Sequence, residues 1–458
     1  MARDVDNLTP VTSRDELVAW IAQGECAPDA VALGTEHEKI LYRLADHTPV
    51  LYDPPDGRGI RAVLQRLEAA TGWTPLMEGA HVIGLHDEAT GASVSLEPGG
   101  QLELSGAALD SVHAVAAELD HHLAQVQAVA AELGLGVISL GMSPTWTRDQ
   151  VPHMPKKRYD IMHRYMPHVG GLCLDMMHRT ATVQTNVDFT SEADMVTKLR
   201  VSLALQPLVT ALFASSPFTD GVPNGYLSMR SHIWTDTDAD RTGMLPFAFE
   251  DGMGYERYVD WALDVPMYFV KRGQTYHDVA GASFRDLMAG RLETLPGVTA
   301  TVADWENHLS TLFPEVRLKR ILEMRGADAG SRAMTEALPA LVAGLLYHRP
   351  SLEAAGQVVG EWTAAERQAL RDDVPRLALH ATVHGRRLQD VAREVLDLSR
   401  QGLAARNRLD DAGQDETVYL APIDQIVETG RTRAEDLLDR YRGEWGGRAD
   451  AVFTECAL

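Results

Sequence analysis

Four short segments of this chain alternate polar and apolar residues with a period of two. On a β-strand, side chains two apart share a face, so each segment carries one polar and one apolar face. In VALGTEHEKI (31–40), Glu36 and Glu38 point the same way. In SLEPGGQLELSG, Gln101, Glu103 and Ser105 oppose Leu102 and Leu104, and Glu97 precedes a Pro98-Gly99-Gly100 turn. In ATVQTNVDF, Gln184, Asn186 and Asp188 oppose Val183, Thr185, Val187 and Phe189. In VRLKRILEMRGAD, Glu323 and Arg325 oppose Leu322 and Met324. Such strands are either the wet side of a half-exposed antiparallel sheet or a face built for chemistry.

Around them the chain reads as a mixture. Residues 13–24 read as a helix with Ser13 as N-cap, Glu16 at the capping-box position and Gly24 beyond the end. Helices are also expected over 58–71 and 107–133, and further strands over 92–97 and 136–141. From about residue 335 the pattern is mainly helical, with breaks expected at Pro339, Pro350 and Pro375. There is no regular βαβ rhythm, which predicts an α+β fold with an antiparallel or mixed sheet. The 458 residues, 45% hydrophobic and 23% charged, are enough for a large core and argue against a disordered or fibrous chain.

Charge narrows the partners. With 42 Lys and Arg against 65 Asp and Glu, the formal net charge is −23, a field that disfavours nucleic acid and anionic membranes. Cys26, Cys173 and Cys456 are odd in number and far apart, which suits free thiols in a reducing compartment. The MARDVDNLTP start has no basic flank with an apolar run, and runs such as 340–347 are too short for a bilayer. A cytoplasmic location is expected.

The polar faces carry Glu, Gln, Asn and Arg, and little of the Lys, Ser and Thr of a merely solvated surface. Convergent carboxylates need cations, and an all-oxygen donor set suits Mg²⁺ or Mn²⁺ over Zn²⁺. That points to a nucleotide-phosphate partner, although neither a P-loop nor a Rossmann glycine signature is present. Other motifs fail: Asp236, Asp238 and Asp240 imitate an EF-hand loop, but Arg241 and Phe247 occupy the Gly and Glu positions. His121 and His122 point apart on their helix, His37 faces away from Glu36 and Glu38, and Ser139 and Ser143 lack a nucleophile elbow.

At GTEHEK, SLEPGGQLELSG, DMMHRTATVQTNVDF, PNGYLSMRSHIWTDTDADRTGMLPF, FPEVRLKRILEMRGAD and EDLLDRYRGEWG, the chain closely resembles the plant-type glutamate-cysteine ligases, a class shared by plants and proteobacteria. The resemblance implies a glutamine-synthetase-like fold: a curved, largely antiparallel sheet with its active site on the concave face and helices behind. It treats residues 1–458 as one catalytic domain, with about 335–458 a helical subregion. It implies ATP-dependent ligation of the side-chain carboxylate of L-glutamate to the amine of L-cysteine through an acyl phosphate, with no nucleic acid or membrane partner, in a monomer or homodimer. By resemblance, Glu36, Glu38, Glu97, Glu103 and Glu323, with Gln184, hold Mg²⁺ or Mn²⁺; Arg230 and Trp234 hold glutamate; Arg158 and Arg325, with Lys39, meet the phosphates; and Tyr268 belongs to the cysteine pocket.

The chain departs from the plant pattern at the four regulatory cysteine positions, which here are Ala116, Glu336, Val279 and Thr294, so the plant-style oxidative switch is expected to be absent. Two rivals stay open on the sequence: a γ-glutamyl ligase of the same fold with another amine acceptor, and a non-catalytic metal-binding sensor.

Overall fold

The computed structural model describes residues 7–458, which leaves the first six residues of the amino-terminal segment outside the described residues. Nine strands form the main sheet: β1 (Leu33–Arg43), β2 (Thr74–Glu78), β3 (His81–His86), β4 (Ser93–Leu96), β5 (Leu102–Ser105), β6 (Leu135–Ile138), β7 (Thr182–Val187), β8 (Val316–Leu318) and β9 (Leu322–Asp328). Their order is β8-β9-β7-β1-β5-β4-β3-β2, with β6 paired to the carboxyl-terminal half of β1. Every neighbouring pair in this sheet is antiparallel. The expected antiparallel arrangement therefore holds, and each of the four alternating segments contributes to one continuous sheet.

One reading of those segments changes. VRLKRILEMRGAD is not a single strand but the β8–β9 hairpin, which folds Arg317 directly opposite Glu323. No Gly or Pro marks its turn at 319–321, which is why alternation alone runs through it.

The apolar faces are covered by helices. Val112–Glu132 and Arg332–Leu346 pack against β1, the latter also against β7, and Glu192–Phe213 packs against β9. This last helix is long and apolar enough, by length and composition, to cross a membrane, but it is mostly buried against the rest of the protein. The amino-terminal helix Arg14–Ala22 begins as expected, with Ser13 Oγ accepting from the Glu16 amide at 3.3 Å. Glu16 itself reaches Thr12, not the cap's own amide, so the capping box is incomplete.

Two expected helix breaks, at Pro339 and Pro375, are absent, while the break expected at Pro350 is present between Leu346 and Arg349. Pro339 lies inside Arg332–Leu346, where burial of every residue from 335 to 346 outweighs the one lost hydrogen bond. Pro350 falls in the first turn of Arg349–Val359, a position with no intrahelical N–H to lose. Pro375 lies inside Ala364–Leu377, and its carbonyl accepts the amides of Leu227 and Ser228 at 2.7 and 3.0 Å. That contact clamps this helix to the start of the short helix Met229–Ile233.

Candidate active site

Strand pairing places the acidic and amide side chains next to one another. Glu38 lies directly opposite Glu103 across β1 and β5, and Glu36 opposite Gln184 across β1 and β7. Glu323 on β9 lies opposite Asn186 on β7. Glu97 is brought alongside by the Pro98-Gly99-Gly100 turn between β4 and β5. Gly100 takes φ +87°, the left-handed region, and a Cβ on Gly99 would sit 2.1 Å from the His178 carbonyl oxygen.

The face divides into two electrostatic halves. In one, Glu36 accepts from the side-chain amides of Gln184 (3.1 Å) and Asn186 (2.9 Å). Glu323, fully buried, is surrounded by cations: Arg317 Nη2 at 2.6 Å, Lys319 Nζ at 3.0 Å and the Arg325 guanidinium. Burial alone would push the Glu323 carboxyl up, but these three cations outweigh it and hold it well below the usual range. In the other half the balance is reversed. Burial and the neighbouring Glu97 and Glu103 raise Glu38 well above an ordinary glutamate, although Arg230 and the Thr182 amide (3.0 Å) favour its charge. Glu103 accepts from Ser95 and Ser105 at 3.0 and 3.3 Å.

A cavity of about 90 Å³ opens between these groups, lined by Glu38, Glu97, Gln184, Arg158, Arg230, Trp234 and Arg325, with Met162, Met176 and Met177 on its apolar wall. The Arg158 guanidinium lies 5.6 and 5.8 Å from the ring centroids of Tyr159 and Phe269, within cation–π range. Arg158 Nε and Trp234 Nε1 are buried without a hydrogen-bond partner, as is Asn186 Oδ1 on the same face. Buried polar atoms are almost always paired, so unpaired ones beside a cavity mark where a polar ligand belongs. The Arg325 guanidinium lines the cavity while anchored in the first half, donating to Gln184 Oε1 and to Glu323.

Two residues assigned to the site by resemblance lie elsewhere. Lys39 occupies the odd-numbered face of β1, opposite to Glu36 and Glu38, and its Nζ donates to His37 Nδ1 (2.9 Å) and to the His37 carbonyl (3.1 Å). Complete burial brings its amine down to about 7. Tyr268 does not line the cavity: its ring stacks on the Arg241 guanidinium at 3.8 Å and its hydroxyl donates to Asp238 at 3.2 Å. The Asp236–Asp240 run is thus a packing feature, in which Asp238 also grips Arg241 at 2.6 Å.

Among the described residues, no three His, Cys, Asp or Glu side chains stand together as a ready-made metal site. The donor chemistry nonetheless fits a hard divalent cation at Glu38, Glu97 and Glu103, where burial and the neighbouring carboxylates raise Glu38 well above its ordinary value. Glu323 fits less well, because three protein cations already neutralise it. Arg317 and Lys319, absent from the sequence-based set, could have been found only by recognising the hairpin turn between them and Glu323.

An antiparallel sheet with acids and guanidinium groups on one face and helices behind is the architecture of the glutamine-synthetase-like ligases. A solved glutamate-cysteine ligase from Francisella tularensis, in complex with AMP, shares this fold with a TM-score of 0.53 at 12% identity, over 90% of this chain and 85% of that one. Residues 32–455 match the profile of glutamate-cysteine ligase family 2, and the chain belongs to that family. It is 51% identical over 447 residues to the chloroplastic glutamate-cysteine ligase of Arabidopsis thaliana, covering 98% of this chain and 83% of the relative. It is 49% identical over 449 residues to the chloroplastic glutamate-cysteine ligase B of Oryza sativa subsp. japonica, covering 98% and 88%. Because such close relatives are chloroplastic, the cytoplasmic location expected from composition and thiol count is withdrawn.

Proposed function

We infer that this protein is a glutamate-cysteine ligase, joining the side-chain carboxylate of L-glutamate to the amine of L-cysteine at the expense of ATP, the first step of glutathione synthesis. The observation that carries the site assignment is the single cavity in which Glu38 and Glu97 face Arg158, Arg230 and Arg325. An oxygen of the γ-carboxylate attacks the γ-phosphorus of ATP and ADP departs, leaving a γ-glutamyl phosphate. The amine nitrogen then attacks the acyl carbon, the C–O bond to phosphate breaks, and the amine's proton is lost as the amide forms.

Each step concentrates anions, and the residues divide that load. Arg230 offers a planar fork to the α-carboxylate while Trp234 frames the glutamate chain. Arg158 and Arg325 face the phosphates and the charge developing on the transferred group. Glu38, Glu97 and Glu103 would hold Mg²⁺ or Mn²⁺, which when bound supplies charge neutralisation for phosphate oxygens. Glu36, clasped by two amides, and Glu323, clasped by three cations, fix the positions of Gln184, Arg317 and Arg325 around them. The whole chain acts as one catalytic unit, since the helix from Arg332 packs directly behind β1 and β7.

The direct test is phosphate release from ATP in the presence of L-glutamate and a panel of amines. Cysteine should be the preferred acceptor, and glutamate-dependent release with no amine preference would refute the acceptor assignment.

A further inference from the structure

Beside the main cavity is a narrow recess that shares Arg230, Trp234, Phe313 and Arg325 with it and is closed by Glu315 and Arg371. Arg371 comes from the helix Ala364–Leu377, about 140 residues beyond Arg230 in sequence, in a stretch that reads only as amphipathic helix. The Pro375 carbonyl ties that helix to Leu227 and Ser228, immediately before Arg230, so the two arginines belong to one rigid junction.

The Arg371 side chain is 5% exposed. Its Nε and Nη2 both lie 2.9 Å from one oxygen of Glu315, while Nη1 is buried with no partner at all. A guanidinium donates five hydrogen bonds, and leaving one face of it buried and unpaired is costly unless a ligand completes it. The recess is lined by three guanidinium groups and one carboxylate, a local positive excess in a protein of net charge −23. Its free volume of about 10 Å³ admits a group the size of one water molecule, such as a carboxylate oxygen, and no side chain.

We propose that Arg371 binds the α-carboxylate of glutamate together with Arg230, so that the recess reads the head group of the amino-acid substrate. This rests on the ligase reading above and adds to it a residue from the carboxyl-terminal helices. Arg230 meets the carboxylate at the junction with the main cavity, and the free Nη1 of Arg371 takes the oxygen that enters the recess. Glu315 orients the Arg371 fork without competing for Nη1.

The test compares the parent with Arg371→Gln, Arg371→Lys and Glu315→Gln, using KM values and calorimetric titration with L-glutamate alone. Arg371→Gln should weaken glutamate binding tenfold or more and leave the KM for ATP within twofold. Arg371→Lys, which keeps the charge and is the variant to read should the glutamine form fail to fold, should weaken it at least threefold. If Arg371 serves only to pair with Glu315, Glu315→Gln and Arg371→Gln will lower the melting temperature alike and leave glutamate affinity within twofold of the parent, and the proposal is wrong. It is equally wrong if ATP and glutamate weaken together. Failure of the parent to release phosphate with glutamate and cysteine would overturn the ligase reading instead, while the titration would still show whether Arg371 binds glutamate.

Discussion

Replacing Glu38 by Gln should make the ligand-free protein more stable and the enzyme far less active. Glu38 and Glu103 are direct cross-strand partners, which sets their Cβ atoms about 5 Å apart. At an effective dielectric of about 20, two charges at that distance repel by roughly 3 kcal/mol, and measured cross-strand pairs fall lower, so relief of about 1–3 kcal/mol is expected. Unfolding entropy of about 2.1 cal/mol/K per residue converts this into roughly 1–3 °C in Tm for a chain of this length. The Thr182 amide can still donate to the glutamine oxygen, so the fold loses no hydrogen bond. The pH dependence has a definite sign. A carboxyl raised in the folded state favours folding at low pH and loses that contribution as pH rises through its raised value, so the variant's advantage should grow from acid towards neutral pH. Activity should fall by about 10²–10⁴, since charge stabilisation of several kcal/mol is lost at about tenfold per 1.4 kcal/mol. Thermal melts with and without Mg²⁺, beside a phosphate-release assay, read both effects. The parent's melting temperature should rise with Mg²⁺ and the variant's much less. A variant that is less stable at neutral pH and retains activity within a few-fold would refute both the crowding of charge and the cation assignment.

Three further outcomes are expected. Arg230→Lys keeps a charge but loses the two-pronged contact, worth roughly 2–4 kcal/mol, so the KM for glutamate should rise by about ten- to several-hundredfold with little change for ATP; kinetics with each substrate varied in turn decide this, and a change confined to ATP would reverse the orientation of the site. Dithiothreitol should alter neither activity nor oligomeric state, as all three cysteines are free thiols and burial pushes Cys173 up to about 12; several-fold activation would contradict this. Lys39 titrates near 7 when folded and near 10.5 when unfolded, so only the unfolded chain binds its proton between those values and stability should climb with pH across that window. Lys39→Met should flatten the climb in denaturant titrations at pH 7 to 10, and an unchanged slope would show that this amine is not the source.

The acidic face was legible in the sequence because a period of two is a strong constraint: Glu36 with Glu38, and Gln184 with Asn186, could share a face only if their segments were strands. The same rule separates Lys39 from its neighbours, and there the alternation of β1 was a better guide than family likeness. Other features depend on chain reversal or long-range packing, which local pattern does not encode. Arg317 reaches Glu323 only because an unmarked turn folds β8 onto β9. Arg371 reaches the recess beside the cavity only because its helix docks beside Arg230. Tyr268 leaves it because Arg241 and Asp238 hold its ring and hydroxyl. Pro339 and Pro375 are tolerated for a related reason, since burial of the surrounding helix and a second use for a carbonyl are decided by tertiary structure.

Strand β1 is a partition one residue thick between two chambers of opposite character. Its even-numbered carboxylates face the ligand side, and its odd-numbered Lys39 and His37 face a closed interior where His122 meets the His37 ring at 5.5 Å. Inserting or deleting one residue before Glu36 would exchange the chambers, driving two acids into a sealed space and a lysine among the phosphates. Length is therefore the least negotiable property of this segment: a substitution alters one side chain, whereas the loss of one peptide unit displaces every side chain that follows it to the wrong face.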